Sequence, residues 1–468
     1  MTLSPKIFRE YDIRGRVGED LGEEDAYLIG QGFGTVVSLN GGRKVCVGYD
    51  GRLSSPKLET ALVKGLVAAG MDVLRVGLGP TPLVYFANHS LKADGAVMIT
   101  GSHNPKDFNG FKMVLKNAPF YGEQIQSLRE RIESKQLTHG LGSIQDVDVQ
   151  PDYRTHLLKD FNEHYLSERP GLKVAWDAGN GATGDLLKTL LPHLPGHHIL
   201  LNETIDGTFP AHHPDPVVAE NLKQLQETVL HEECDLGIAF DGDGDRLGVV
   251  DNKSNILWGD QLMVLYASEV LKDHPHAVII GDVKASQVLF DKIKEMGGTP
   301  LMWRTGHSLI KVKMTEVNSP LAGEMSGHIF FKDRYFGFDD ALYAALRTIG
   351  IVGHLKQPLS EWRQTLPNVY NTPELRIPCE HQNKFKVVDG IKETLIAKGI
   401  AFDGIDGVRV LSNKGWWLLR ASNTQEELVA RVEAASEKEL DLLKDHLEFY
   451  LNQNALSLKP TECIAKQS

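Results

Sequence analysis

One recurrence limits what this chain can become. Through the first three quarters of the sequence, short apolar runs alternate with helical patterns, and three such series each end in a polar, glycine-rich loop. The first series passes through Lys44–Tyr49, a helical stretch Pro56–Ala69, Asp72–Val76, a second helical stretch near Leu83–His89, and Ala96–Thr100. It stops at TGSHNP, Thr100 to Pro105. The second passes through Leu172–Trp176, the amphipathic stretch Val217–Val229 and Leu236–Phe240, and stops at DGDGDR, Asp241 to Arg246. The third passes through Ala277–Gly281, Ser286–Met296 and Pro320–Ala322, and stops at GEMSGH, Gly323 to His328. Strands alternating with helices form parallel sheets with crossover helices, and open sheets of that kind place ligands in the loops that follow the strands.

The expected fold is therefore three related α/β domains with mixed, mainly parallel sheets, arranged with a smaller C-terminal α+β domain around a central cleft. Domain boundaries are expected at 1–148, 149–252, 253–366 and 367–468, with the turn-rich Leu366–Pro373 as a linker. In the last domain Gly415–Arg420 reads as a strand. Thr424–Leu443 reads as a long helix opened by the capping box Thr424–Gln–Glu–Glu427. A length of 468 residues agrees with several cores rather than one.

Charge and cysteine content exclude whole classes of function. A formal net charge of -12 argues against non-specific binding to nucleic acid or anionic lipid, both of which need a positive field. The four cysteines lie far apart with no CxxC pair, so buried thiols in a reducing compartment are expected. No stretch approaches the roughly 18 apolar residues of a membrane span, and a cytoplasmic location is expected.

DGDGDR carries the sharpest chemistry. Asp241, Asp243 and Asp245 alternate with glycines after a buried apolar strand, and three carboxylates so close repel one another unless a cation neutralises them. An EF-hand fails, because its sixth position would be Arg246 and its twelfth Asn252. Mg²⁺ shared with a phosphate fits better than an acidic surface turn. TGSHNP by itself is equally a turn, since Ser, Asn and Pro are common turn residues. It is not a GxSxG hydrolase elbow. Beside an Asp cluster, Ser102 suits a phosphoryl carrier, because phosphoryl transfer rests on positioning and electrostatics. His103 then orients the phosphoserine or merely caps the turn.

Lys112, in NGFK, is either a stabiliser of the transferring group or a solvated charge. GEMSGH offers Glu324 and Ser326 for sugar hydroxyls and His328 as a general base near neutral pH, or is a plain Gly-rich turn. His307, in RTGHS, is a weak signal alone. RASNT, Arg420 to Thr424, combines an arginine with an expected helix start, which makes a phosphate clamp or an ordinary N-cap.

Together the motifs resemble the α-D-phosphohexomutase superfamily, and within it the bacterial phosphomannomutase/phosphoglucomutase branch. The resemblance runs from FREYDIRG, Phe8 to Gly15, through TGSHNP, NGFK, DGDGDR, DVK at Asp282–Lys284, TGHS and GEMSGH to RASNT, in the family's order. It implies that Ser102 is phosphorylated in the active enzyme and binds Mg²⁺ with Asp241, Asp243 and Asp245. It further implies that Tyr11 and Arg14 line the cleft and that Arg246, Lys284 and His307 contact substrate. Lys112 and His328 become its acid and base, Glu324 and Ser326 meet sugar hydroxyls, and Arg420, Ser422, Asn423 and Thr424 hold the distal phosphate. RASNT in place of an RxSGTE-type loop favours glucose and mannose over glucosamine, by analogy.

The implied reaction interconverts hexose 1-phosphate and hexose 6-phosphate through phosphoserine and a hexose 1,6-bisphosphate that turns end for end, with a closing fourth domain to exclude water. Phosphosugars are the expected partners, and a monomer or weak oligomer the expected state. A phosphoglucosamine mutase, a Mg²⁺-dependent phosphatase and a non-catalytic sugar-phosphate sensor are the alternatives.

Overall fold

Each of the three loops singled out above joins the last parallel strand of a sheet to an antiparallel neighbour. Gly95–Ile99 hands over to Phe108–Leu115, Leu236–Phe240 to Leu247–Asp251, and Leu321–Gly323 to Ile329–Phe331. The computed structural model describes residues 3–165, 171–423, 425–458 and 465–467. In the first sheet Lys44–Tyr49 pairs in parallel with Asp72–Leu78 and with Gly95–Ile99, and Ile13–Arg16 adds an antiparallel edge to Phe108–Leu115. The second sheet places Lys173–Asp177 in parallel between His197–Leu201 and Leu236–Phe240, and the third places Val278–Asp282 between Thr299–Trp303 and Leu321–Gly323. Strands such as Gly95–Ile99 and Leu236–Phe240 are buried at every position, which explains their unbroken apolar runs.

The three α/β units share one continuous apolar core. It runs from Cys46 and Phe86 through Tyr153 and Trp176 to Tyr266 and Tyr343, with helix Gln150–Tyr165 packed between units. The C-terminal unit is antiparallel throughout and has its own core around Trp417, Leu419 and Leu447. It meets the third unit through a small cluster of Val283, Trp416 and Leu418 and through buried polar groups. Arg409 donates to the carbonyls of Val283 and Ala285 at 2.7 and 2.9 Å, with its guanidinium 3.8 Å from the Trp416 ring.

Two expectations fail here. Glu427–Ala434 is a strand, paired along its length with Gly415–Ala421, and the helix that follows is Glu437–Asn452, capped by Ser436. The capping-box pattern at Thr424–Glu427 suggested a helix. Arg431 and Glu433 alternate with Leu428, Ala430 and Val432 but are buried too, on the face turned toward the third unit, so both faces of the strand are buried while only one is apolar. The stretch read as a linker also contains a short strand, Val369–Asn371, paired with Glu433 and Ala434.

Candidate active site

The loop after Gly95–Ile99 is built around one buried arginine. Arg52 donates to the carbonyls of Ser102, Asn104, Pro105 and Phe108 at 2.7, 2.6, 2.6 and 3.0 Å, and Asp50 holds its Nε at 3.1 Å. A Cβ at Gly101 would lie 2.5 Å from the Arg52 guanidinium, so only glycine lets the arginine thread the loop. Ser102 is held in the left-handed region at φ 50, its N–H donating to Thr100 Oγ1 at 2.7 Å. That strained, over-determined turn aims Oγ at the second loop: it donates to Asp241 Oδ2 at 3.0 Å and lies 3.1 Å from His103 Nδ1. Burial, aided by Arg246 and Arg14, keeps the His103 imidazole neutral, well below its ordinary pKa. Arg14 reaches the same loop through the Asn104 side chain while paired with Asp12.

The second loop presses directly on the first. A Cβ at Gly242 would lie 2.6 Å from the carbonyl oxygen of Ser102. Asp241, Asp243 and Asp245 are fully buried, and their oxygens gather within 4.8 Å. Asp241 Oδ1 accepts from the N–H groups of Asp245 and Arg246, both at 3.1 Å, which curls the loop back on itself. Asp243 Oδ2 accepts from Thr81 Oγ1 and from Lys112 Nζ, and Lys112 also bonds Asp245 Oδ2. Asp243 Oδ1 has no hydrogen-bond partner among the described residues, and Asp245 Oδ1 meets only His328 Nε2, at 3.3 Å. An all-oxygen donor set with an unpartnered buried carboxylate oxygen fits a hard divalent cation such as Mg²⁺.

Electrostatics follow from this crowding. Burial, then the charges of Asp243 and Asp245, push the Asp241 carboxyl well above its usual range. Burial acts in the same direction on Asp245 but is outweighed by Lys112 and His328, which hold it well below. Lys112 loses hydration, yet the two aspartates keep its ammonium form stable well beyond a free lysine's range.

The third loop brings a histidine between carboxylates. His328 Nδ1 lies 2.9 Å from Glu324 Oε2 and 3.0 Å from Ser326 Oγ, while Nε2 lies 3.3 Å from Asp245 Oδ1. Burial opposes its protonation, but Asp245 and Glu324 raise its pKa to about 9. Arg246 Nε donates to the same Nε2 at 3.3 Å and works against protonation. Glu324 Oε1 accepts from the Gly306 N–H at 2.6 Å, tying the loop to the start of helix His307–Glu316. His307 stacks on His328 at 5.5 Å and 27°, with its Nδ1 3.4 Å from Asp339 Oδ2. Burial, reinforced by Lys311, lowers its pKa.

The other pole is polar and cationic. Lys284 donates to Glu374 Oε2 at 3.0 Å, and Arg420 Nε to Asp406 Oδ2 at 3.0 Å. Asn423 donates to the Tyr11 hydroxyl, which itself donates to the carbonyl of Thr305 at 2.9 Å, so the first, third and fourth units meet at one phenol. Arg420 and Ala421 end the strand Gly415–Ala421, Gln425 N–H donates to Ser422 Oγ at 3.1 Å, and the next element is the strand Glu427–Ala434 rather than a helix. Thr424 lies outside the described residues. Every other residue expected at the site lines or underlies one cavity of about 570 Å³.

Sequence reasoning missed Asp50, Arg52, Thr81, Glu374 and Asp406. The pair Asp50 and Arg52 had a usable signal, YDGR directly after an apolar strand, in the same position as the three loops. Thr81, Glu374 and Asp406 carry no local pattern.

Comparison with known proteins follows the same division. Models described as phosphoglucomutase/phosphomannomutase alpha/beta/alpha domains I, II and III match residues 5–139, 151–255 and 258–370, and that of the C-terminal domain matches 374–448. The phosphomannomutase/phosphoglucomutase of Pseudomonas aeruginosa is 45% identical over 443 residues, 95% of each chain. The phosphoglucomutase of Neisseria meningitidis is 41% identical over 462 residues, 97% of this chain and 98% of that one. A crystal structure of a phosphoglucomutase/phosphomannomutase family protein from Burkholderia thailandensis superposes with a TM-score of 0.90 at 42% identity, covering 99% of this chain and 100% of that one. The chain belongs to the phosphoglucomutase/phosphomannomutase family.

Proposed function

We propose that this protein interconverts the 1- and 6-phosphates of glucose and mannose, with Ser102 carrying the phosphoryl group and a hexose 1,6-bisphosphate as intermediate. The observation that carries the reading is the meeting of Ser102 Oγ with Asp241 at 3.0 Å, in the same cavity as a second, cationic pole around Arg420. A phosphate must be held at each end of a sugar that turns over between two transfers, so two poles are a chemical requirement.

In each transfer the bond from phosphorus to Ser102 Oγ breaks as the sugar hydroxyl's bond forms. Lys112 and His328 would flank the transferring group; one of the pair gives Oγ a proton and takes up the attacking hydroxyl's proton in its place. Mg²⁺ held by Asp241, Asp243 and Asp245 would offset phosphoryl charge. Arg14 and His103 orient the Ser102 loop, Arg246 and His307 meet the substrate, and Glu324 with Ser326 bond sugar hydroxyls. Lys284, Arg420, Ser422, Asn423 and Thr424 hold the distal phosphate, closed over by Tyr11. The substrates are soluble phosphosugars, the setting cytoplasmic, and the working unit a monomer or weak oligomer, with a trace of bisphosphate as activator. Among the described residues no helix is long and apolar enough to cross a membrane.

Side-by-side rates on glucose 1-phosphate, mannose 1-phosphate and glucosamine 1-phosphate, with Mg²⁺ and trace bisphosphate, test this. Comparable efficiency on the first two supports the reading. Strong preference for glucosamine overturns the sugar assignment, and steady release of inorganic phosphate without isomerisation overturns the mutase.

A further inference from the structure

A second cavity, of about 520 Å³, lies between the first and third units and shares no lining residue with the cleft. Its walls are the continuations of elements that begin in the catalytic centre. Helix Thr81–Ser90 starts at Thr81, whose N–H donates to the Asp243 carbonyl at 2.8 Å, and reaches the cavity at Tyr85 and Asn88. Strand Phe108–Leu115 presents Lys112 to Asp243 and, two residues later, Val114 to the cavity. Helix His307–Glu316 starts at His307 and reaches it at Lys311. Lys311 Nζ bonds Asp339 Oδ1 at 2.7 Å, and Asp339 faces His307. The cavity thus lies behind the residues that hold the Asp loop and His307.

Its chemistry is selective. Phe336 and Phe338 are near-parallel, 5.6 Å apart at 10°, and His89 stacks on Phe336 at 4.8 Å, giving a wall of flat rings. Lys116 brings positive charge; Lys311 is paired with Asp339 at 2.7 Å, and the lining carboxylate, Glu316, with Lys313 at 2.8 Å. Asn88 is 1% exposed, its Nδ2 donating to Asn117 Oδ1 at 2.5 Å. The volume falls in the range of small-molecule sites.

We propose that this cavity binds a small organic anion with a flat ring system, and that its occupancy acts from behind on the Asp loop and His307. Rings stack on Phe336 and Phe338, and the anionic group meets Lys116. Because such coupling is reciprocal, a cleft ligand must alter affinity at the second cavity without displacing what is bound there.

The probe is 8-anilinonaphthalene-1-sulfonate, which has flat rings and a sulfonate, titrated by fluorescence into the full, Mg²⁺-loaded protein. One probe per chain is expected, retained at saturating glucose 1,6-bisphosphate with a Kd changed at least 2-fold. Val312→Trp, which fills the cavity from an exposed wall position, should weaken the probe at least 10-fold. Lys116→Glu should weaken it at least 5-fold while sparing uncharged N-phenyl-1-naphthylamine. Both variants should keep the parent melting temperature and probe-free turnover. Displacement by bisphosphate, or indifference to both substitutions, overturns the site; these binding readouts do not depend on the mutase reading. Saturating probe should lower kcat without raising KM, and unchanged kinetics overturn the coupling.

Discussion

Ser102 Oγ and Asp241 Oδ2 stand 3.0 Å apart across 139 residues of sequence, one on the loop of the first sheet and the other on the loop of the second. Under the proposed function neither loop suffices alone: the first offers the serine hydroxyl that would carry the phosphoryl group, the second the carboxylates that would hold a cation beside it. Their contact is also steric, since Gly242 leaves room for the Ser102 carbonyl.

Removing the nucleophile should therefore stop the chemistry and spare the fold. Ser102→Ala is expected to lower kcat on the order of 10³-fold or more, with an unchanged melting temperature. Mutase kinetics and a thermal scan check both halves, and loss of turnover together with loss of fold would count against the role.

Thr81 supports the Asp loop from outside it. Thr81→Val keeps the volume but removes the donor to Asp243 Oδ2. The Mg²⁺ concentration for half-maximal activity should rise about 10-fold or more, with most of kcat recovered at saturation. A Mg²⁺ titration after chelation reads this directly.

Arg52 organises the Ser102 loop through carbonyl contacts that a lysine's single ammonium cannot reproduce. Arg52→Lys should cost about 3 kcal/mol in urea unfolding at constant m, and should lower kcat because Oγ loses its aim.

At the other pole, Arg420→Ala should act mainly on binding. Losing a charge-assisted contact to phosphate is worth about 1.5–3 kcal/mol, so KM should rise on the order of 10- to 100-fold with kcat less affected. Asp406→Asn, which removes the charge paired with Arg420 Nε while keeping an acceptor, should produce a smaller rise in KM. Initial-rate measurements over substrate concentration separate the two constants.

Asp340 makes stability depend on pH. It caps helix Ala341–His354 and accepts from the hydroxyls of Tyr153 and Tyr335, both at 2.6 Å, yet burial pushes its pKa up to about 6. Between about pH 4 and 6 the unfolded chain releases this proton while the native chain keeps it. Stability from this group is thus present below about pH 4 and lost as pH rises through about 6. Asp340→Asn should flatten that part of a stability–pH curve measured by denaturant unfolding.

How much of this was legible in the sequence depended on where the information lay. Buried parallel strands such as Leu236–Phe240 read correctly, because a strand covered on both faces is continuous in its apolar character. The three loops were visible because glycines and charged residues interrupt such runs. Glu427–Ala434 was misread because Arg431 and Glu433 are buried by partners far away, Asp260, Trp416 and Gln287, which no local window contains. For the same reason Asp406, which serves Arg420 and the Thr305 N–H, was invisible. The raised pKa of His328 also required knowing that Asp245 and Glu324 converge on one ring.

Assigning nucleophile and acidic loop to successive units fixes an order of assembly. On the ribosome, Ser102 emerges 139 residues ahead of Asp241. At about 5–20 residues per second, that is a lag on the order of ten seconds. During that interval the growing polypeptide exposes a serine with no acidic loop beside it, and under the proposed reaction it would neither acquire nor lose a phosphoryl group. Spreading one reaction over several units would then keep the unfinished protein chemically silent.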